Sequence, residues 1–178
     1  EFHNVPGVTD RALLRLGYAL GLDKKWDASR QAYELMVNRF GASPWVNDAR
    51  YGAGWALQNA GQFDPAVNWY NQVAAATTNE LAAKAHLQIG LCRLEQKRYG
   101  DAAAALLIVP YTFDYPELCA TALCEAARAS SPLASIRLAF LRWTLTCRSS
   151  HQRKKKKKKK IRDIQNRIIS KNREQILR

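Results

Sequence analysis

No run of about 18 consecutive apolar residues occurs in this 178-residue chain, so no transmembrane helix is expected. Catalytic signatures are missing as well: there is no H-E-x-x-H, no G-x-S-x-G and no glycine-rich phosphate loop. Histidine occurs only at His3, His86 and His151, and His86 falls where a packing side chain is expected. The four cysteines, Cys92, Cys119, Cys124 and Cys147, include no C-x-x-C pair. Cys119 and Cys124 lie about 140° apart around a predicted helix, a poor geometry for sharing one metal. The cysteines read as small buried thiols, with a disulfide framework or a zinc site as the alternative. Free thiols lean towards a reducing compartment. Asp23, Asp27, Asp64 and Asp101 fall at turns and helix starts, where capping accounts for them. No catalytic constellation emerges, so the expectation is a non-enzyme without cofactor or metal. No signal-peptide pattern is seen, and the chain starts at Glu1 rather than Met. The expectation is that the true N-terminus is missing or that a targeting segment was removed.

Hydrophobic residues make up 47% of the chain, enough for a buried core. Much of that is alanine, which suits closely packed helices. The net charge of +13 is unevenly placed. Residues 1–147 carry 14 Lys+Arg against 13 Asp+Glu, a net of +1, whereas residues 148–178 carry 14 against 2, a net of +12. A body that is nearly neutral excludes a nucleic-acid reading drawn from the overall pI.

The most informative stretch is Ala53–Val73, AGWALQNAGQFDPAVNWYNQV. It predicts two short helices folded back on each other around Gly61. Asp64-Pro65 predicts the second helix start, with Asp64 as N-cap and Pro65 as the first helical residue. Gly54, Leu57, Gly61, Phe63, Ala66, Tyr70 and Val73 fall at offsets 0, 3, 7, 9, 12, 16 and 19 from Gly54. The same offsets from Gly17 give Leu20, Lys24, Trp26, Ser29, Tyr33 and Met36; from Gly90 they give Arg93, Lys97, Tyr99, Ala102, Leu106 and Val109. The turn glycine is lost in both copies, and Arg93 replaces an apolar residue. A first helix is predicted over about Asp10–Leu22, with Thr9-Asp10 as its cap, and a second over Trp26–Arg39, with Gly41 as its C-terminal cap. The anchors are 37 and 36 residues apart, so extra residues are expected in the loops 39–44 and 75–79.

A fourth unit opens at Tyr115-Pro116, with Cys124 in the anchor slot, and is interrupted by Ser130-Ser131-Pro132. Leu133–Thr146 either packs as the missing partner helix or lies on a membrane surface. From Ser149 the composition changes abruptly, with seven consecutive lysines, Lys154–Lys160. This tail is expected to be disordered or partly helical. The lysine run suggests a homopolymer tract, and the break near Ser130 a change of reading frame. The resulting division is a helical-repeat domain over 1–147 and a basic low-complexity tail over 148–178.

The recurring slots over residues 10–109, with half a unit after them, resemble the tetratricopeptide repeat family. The middle unit carries the pattern most fully. The loop Phe40–Pro44 before Asp48–Tyr51 is similar to a subset of bacterial envelope-associated repeat proteins. The resemblance implies an all-α, right-handed α-solenoid of antiparallel helix pairs, about three and a half units long. It further implies a non-catalytic scaffold whose first helices line a concave groove for a protein or peptide. The bacterial periplasm or envelope, or the cytoplasm, are the compartments it leaves open.

Carried over by register, the groove positions include Tyr18, Asp48, Tyr51, Trp55, Gln58, Asn59, Lys84 and Arg128. Tyr18, Tyr51 and Trp55 lie off the family's packing slots, which marks them as interface anchors, or as packing against neighbouring units. Trp26, Phe63 and Tyr99 share one slot and are expected in the core, with Trp45 and Trp69 at rims or loops. Some family members grip a C-terminal carboxylate through Lys, Asn and Arg; here Leu14 and Tyr18 stand at the first-unit positions, so that clamp is not expected. A competing reading has the basic tail binding RNA or acidic lipid non-specifically. In a third, the incomplete fourth repeat drives self-association.

Overall fold

A computed structural model of the chain describes residues 7–129, which belong to one compact unit, Glu1–Leu133. Seven α-helices follow one another, with no strand among the described residues: α1 (Thr9–Leu22), α2 (Trp26–Arg39), α3 (Val46–Asn59), α4 (Phe63–Ala76), α5 (Glu80–Glu95), α6 (Tyr99–Thr112) and α7 (Pro116–Ala129). They form three antiparallel pairs, and α7 opens a fourth. No described helix is long and apolar enough to cross a membrane.

The turn inside each pair is built the same way. The first helix ends in a left-handed residue: Lys24 at φ 59°, Gly61 at φ 77° and Lys97 at φ 60°. Two reverse hydrogen bonds close each end. In the first pair Lys25 N donates to Leu20 O at 2.9 Å and Lys24 N to Gly21 O at 2.9 Å. Gln62 N to Leu57 O and Gly61 N to Gln58 O repeat this in the second pair, as do Arg98 N to Arg93 O and Lys97 N to Leu94 O in the third. This is the Schellman arrangement, which satisfies carbonyls that the helix leaves open and reverses the chain tightly. The slot that reads as a lost glycine is therefore still left-handed; lysine adopts a backbone that glycine would enter without cost.

Each helix packs on the next, and the first helices of successive pairs also touch: α1 with α3, α3 with α5 and α5 with α7. No such contact joins α2 to α4 or α4 to α6. The first helices crowd together while the second helices splay, so the solenoid has an inner row formed by α1, α3, α5 and α7.

The repeat slots form the core. Tyr33, Tyr70 and Leu106 are buried at one slot, and Met36, Val73 and Val109 at the next. Each large residue lies over its own anchor glycine. A methyl group on Gly54 would sit 2.9 Å from Tyr70 Cε1, and one on Gly90 would collide with Leu106 Cγ. Ser29 in the alanine slot is fully buried because its Oγ donates to Gly17 O at 2.7 Å. Trp69, expected at a rim, is half-buried and packs against both the cluster that contains Ala49 and Ala53 of α3 and the Tyr70–Val73 cluster.

Several local expectations are corrected. Helix α4 starts at Phe63 with Gln62 as N-cap and no side-chain cap. Asp64 is turned outward instead, accepting from Arg93 Nη1 at 2.6 Å and from Gln96 Nε2 at 2.9 Å. Helix α1 likewise has Val8 as N-cap without a side-chain bond; Asp10, buried in its first turn, accepts from Ser43 Oγ at 2.6 Å and so ties α1 to the α2–α3 loop. Gly41 is not left-handed, and Phe40 caps α2. The longer first unit does carry its extra residues between α2 and α3. The second spacing, Gly54 to Gly90, does not carry them in the loop before α5: α5 itself has 16 residues where the other helices have 14. Cys92 and Cys119 are buried, but Cys124 in the fourth anchor slot is exposed. No described residue supplies it with a counterpart of Tyr33, Tyr70 or Leu106.

Candidate functional site

The residues singled out by register divide into three groups along the inner row. The first is aromatic. Tyr18 on α1 stacks on Trp55 of α3 at 6.4 Å with an interplanar angle of 28°, and Trp26 meets Trp55 edge-on at 5.4 Å. Trp55 reaches this position because Gly21 carries no side chain; a methyl there would collide with the indole. Packing therefore explains much of Trp55. It does not explain Tyr18, which is 58% exposed, or Leu22, which is 62% exposed. Together they present an apolar ledge to solvent at the C-terminal end of α1. Trp45, in the preceding loop, is covered on one face by Arg11, 5.7 Å from the ring centroid.

The second group joins α3 to α5. Tyr51 is half-buried, tilted against Tyr70 at 5.3 Å, and its hydroxyl meets the Gln88 side chain. Burial raises its pKa. Asp48 is half-buried too, and desolvation raises its carboxyl although Lys84 opposes the shift. Lys84 is held by Glu80 at 2.8 Å, and that bond raises its ammonium pKa, with Asp48 and Tyr51 adding to the effect. These groups form a mixed-charge patch in which each has a partner. Gln58 is committed to the core, since its Oε1 accepts from the buried Tyr70 hydroxyl at 2.7 Å. Asn59 is exposed and donates to Trp55 O at 2.8 Å.

The third group lies between α5 and α7. Leu91, Leu94, Glu95, Tyr99, Glu125 and Arg128 line an open pocket of about 280 Å³. Arg128 Nη1 contacts Glu125 Oε2 at 2.8 Å. Tyr99, expected in the core with Trp26 and Phe63, is 43% exposed and forms a wall of this pocket, whereas the other two are half-buried. The difference comes from the following unit: Trp55 covers Trp26, but the same register at Tyr99 offers only Glu125. Leu22 is a groove position by register, and it is exposed; Tyr99 is the exposed apolar surface that sequence reasoning missed. For Tyr99 the signal is the residue one unit ahead.

Nothing in this row resembles a reaction centre. Among the described residues no group of three or more His, Cys, Asp or Glu is placed to hold a metal ion. His86 is half-buried against Phe113 at 6.0 Å, and burial lowers its pKa. The Cys92 thiol is pushed up to about 12 by burial, which makes it inert as a nucleophile. The expected partner helix Leu133–Thr146 and the basic tail 148–178 lie outside the described residues.

The sequence profile of the tetratricopeptide repeat family matches residues 11–43. That is the first unit, not the middle one in which the slots are most complete. No curated protein matches the chain. Among solved structures, one similar fold is the Yersinia enterocolitica type III secretion chaperone SycD in complex with a peptide of the translocator YopD. It has a TM-score of 0.56 and 18% identity, covering 72% of this chain and 92% of that one. Another is PcrH in complex with the chaperone binding region of PopD, with a TM-score of 0.57 and 18% identity, covering 78% of this chain and 98% of that one. At this identity the likeness is one of fold. Residues 11–43 match one tetratricopeptide unit, and residues 9–129 fold as a solenoid of antiparallel helix pairs of the tetratricopeptide type.

Proposed function

We propose that the chain is a non-catalytic scaffold that holds an extended or helical segment of a protein partner along the inner row of first helices. The observation that carries this reading is the ledge of Tyr18 and Leu22, apolar groups left in solvent beside the stacked Trp55 ring. Folding gains nothing from their exposure, whereas a partner that covers them gains the burial of both side chains. Asp48, Tyr51 and Lys84 continue the surface as a polar stretch that would orient the segment, with Asn59 at its edge. Arg128 marks its far end. Gln58 contributes from behind by holding Tyr70. SycD and PcrH, which share the fold, were each crystallised with a peptide or binding region of another protein. The division into a repeat domain over 1–147 and a basic tail over 148–178 belongs to the same proposal.

The test is a random peptide array probed with the full chain. Tyr18→Ser with Leu22→Ser should abolish the bound set, and Tyr111→Ser, at an exposed site on the opposite side of a pair, should leave it intact. Retention by the double variant, with its helical content unchanged, would refute the groove.

A further inference from the structure

Repetition allows the pocket between α5 and α7 to be compared slot by slot with the junction between α1 and α3. At the first junction the slots hold Tyr18, Gly21, Leu22, Trp26, Trp55 and Gln58; at the third junction they hold Leu91, Leu94, Glu95, Tyr99, Glu125 and Arg128. The first junction is filled from within, by the Trp55 indole lying on Tyr18, Trp26 and Gly21. The third has a carboxylate where that indole stands. Glu125 has no ring to fill the space, and the space remains open.

We propose that this pocket is a subsite for an arginine side chain of the bound segment; the proposal rests on the groove reading above and specifies one contact within it. Leu91, Leu94 and the Tyr99 ring would receive the aliphatic stem, and Glu125 and Glu95 would receive the guanidinium. The formal charge of the lining is one net negative, from Glu95 and Glu125 against Arg128. Glu125 is sheltered, with its side chain 19% exposed, so a charge-assisted bond to it is little screened. It already accepts a guanidinium, that of Arg128, at 2.8 Å. Arg128 is 76% exposed and can swing into solvent with little loss, because its pairing is that of a surface ion pair. An apolar residue from the partner would fill the volume but leave Glu125 desolvated, and an acidic one would meet two carboxylates.

The experiment is a titration of the ¹⁵N-labelled full chain with the pentapeptide amide acetyl-Ala-Ala-Arg-Ala-Ala, and with its counterpart carrying citrulline, which has the same shape without the charge. The expected result is saturable shifts at the amides of Leu94, Glu95, Tyr99 and Glu125 with the arginine peptide. Affinity should fall about tenfold with citrulline, and likewise for the arginine peptide on Glu125→Gln. Equal affinity for both peptides, or no saturable shift at these four amides, would overturn the subsite. Shifts confined to Tyr18, Leu22 and Asp48 would overturn it while leaving the groove standing. The citrulline comparison uses the unaltered chain and does not depend on any variant folding.

Discussion

Arg93 on α5 donates to Asp64 on α4 at 2.6 Å, from the slot that Leu57 fills with apolar packing one unit earlier. The Arg93 side chain is only 17% exposed, whereas Asp64 is largely in solvent. Gln96 donates to the other Asp64 oxygen, and Arg98 approaches at 4.0 Å. A polar clip thus holds the second and third units together where the repeat pattern calls for a hydrophobic contact.

The clip makes stability depend on acid in a defined direction. The Arg93 hydrogen bond holds the Asp64 carboxyl below its usual 3.8. A carboxylate favoured by folding contributes stability above its unfolded pKa and loses it as pH falls through the lower folded value. Arg93→Met should therefore narrow its stability gap to the unaltered chain between about pH 5 and pH 2. Urea midpoints across that range provide the measurement, and a gap that does not change with pH would refute the assignment.

Relieving the left-handed lysines should stabilise the fold. Lys24 and Lys97 sit at φ 59° and 60°, where a side chain crowds the backbone. Replacing either with glycine removes a cost of about 1–2 kcal/mol and returns part of it through the freer unfolded chain. A net gain of about 0.5–1 kcal/mol is expected for each, read as a higher urea midpoint with an unchanged slope.

Tyr70 carries both a packing and a hydrogen-bonding role. Its ring is fully buried over Gly54, and its hydroxyl donates to Gln58. Tyr70→Phe keeps the ring and strands the Gln58 acceptor, for a loss of about 1–2 kcal/mol. Tyr70→Ala should lose about 3–5 kcal/mol through the cavity it leaves. Equal losses would mean that the ring contributes nothing.

Two glycines should respond oppositely to alanine. At Gly90 the new methyl would meet Leu106 Cγ inside the core, and a loss of about 1–3 kcal/mol is expected. At Gly100, on α6, no atom lies within 4 Å of the new methyl, and the helix should gain up to about 1 kcal/mol. Thermal unfolding of the pair separates helix propensity from close packing.

The helix pairs and their slots were legible in the chain because each depends on spacing within one unit, whereas the row of first helices was implied only by the family resemblance. The offsets from Gly17, Gly54 and Gly90 locate the buried large residues Tyr33, Tyr70 and Leu106 without any reference to neighbours. Helix starts were less legible. Asp64 looks like a cap, yet it is drawn away by Arg93, 29 residues distant, and Asp10 divides its oxygens between Arg11 N at 2.7 Å and Ser43 Oγ, 33 residues distant. A local preference worth about 1 kcal/mol yields to such tertiary bonds.

What fills each junction was decided only in three dimensions. Trp26 and Tyr99 occupy the same slot, yet Trp26 is half-buried and Tyr99 exposed, because one unit ahead Trp55 stands at the first and Glu125 at the third. The helical period and the repeat length act along the chain and can be counted from it. Junction packing acts between residues about 30 positions apart, and its outcome depends on the shape of two side chains and on a missing third, as at Gly21, where the absence of a Cβ admits the indole. Spacing therefore determined that this chain is a solenoid of helix pairs. The packing of one unit on the next determined which of its junctions are closed and which is left open.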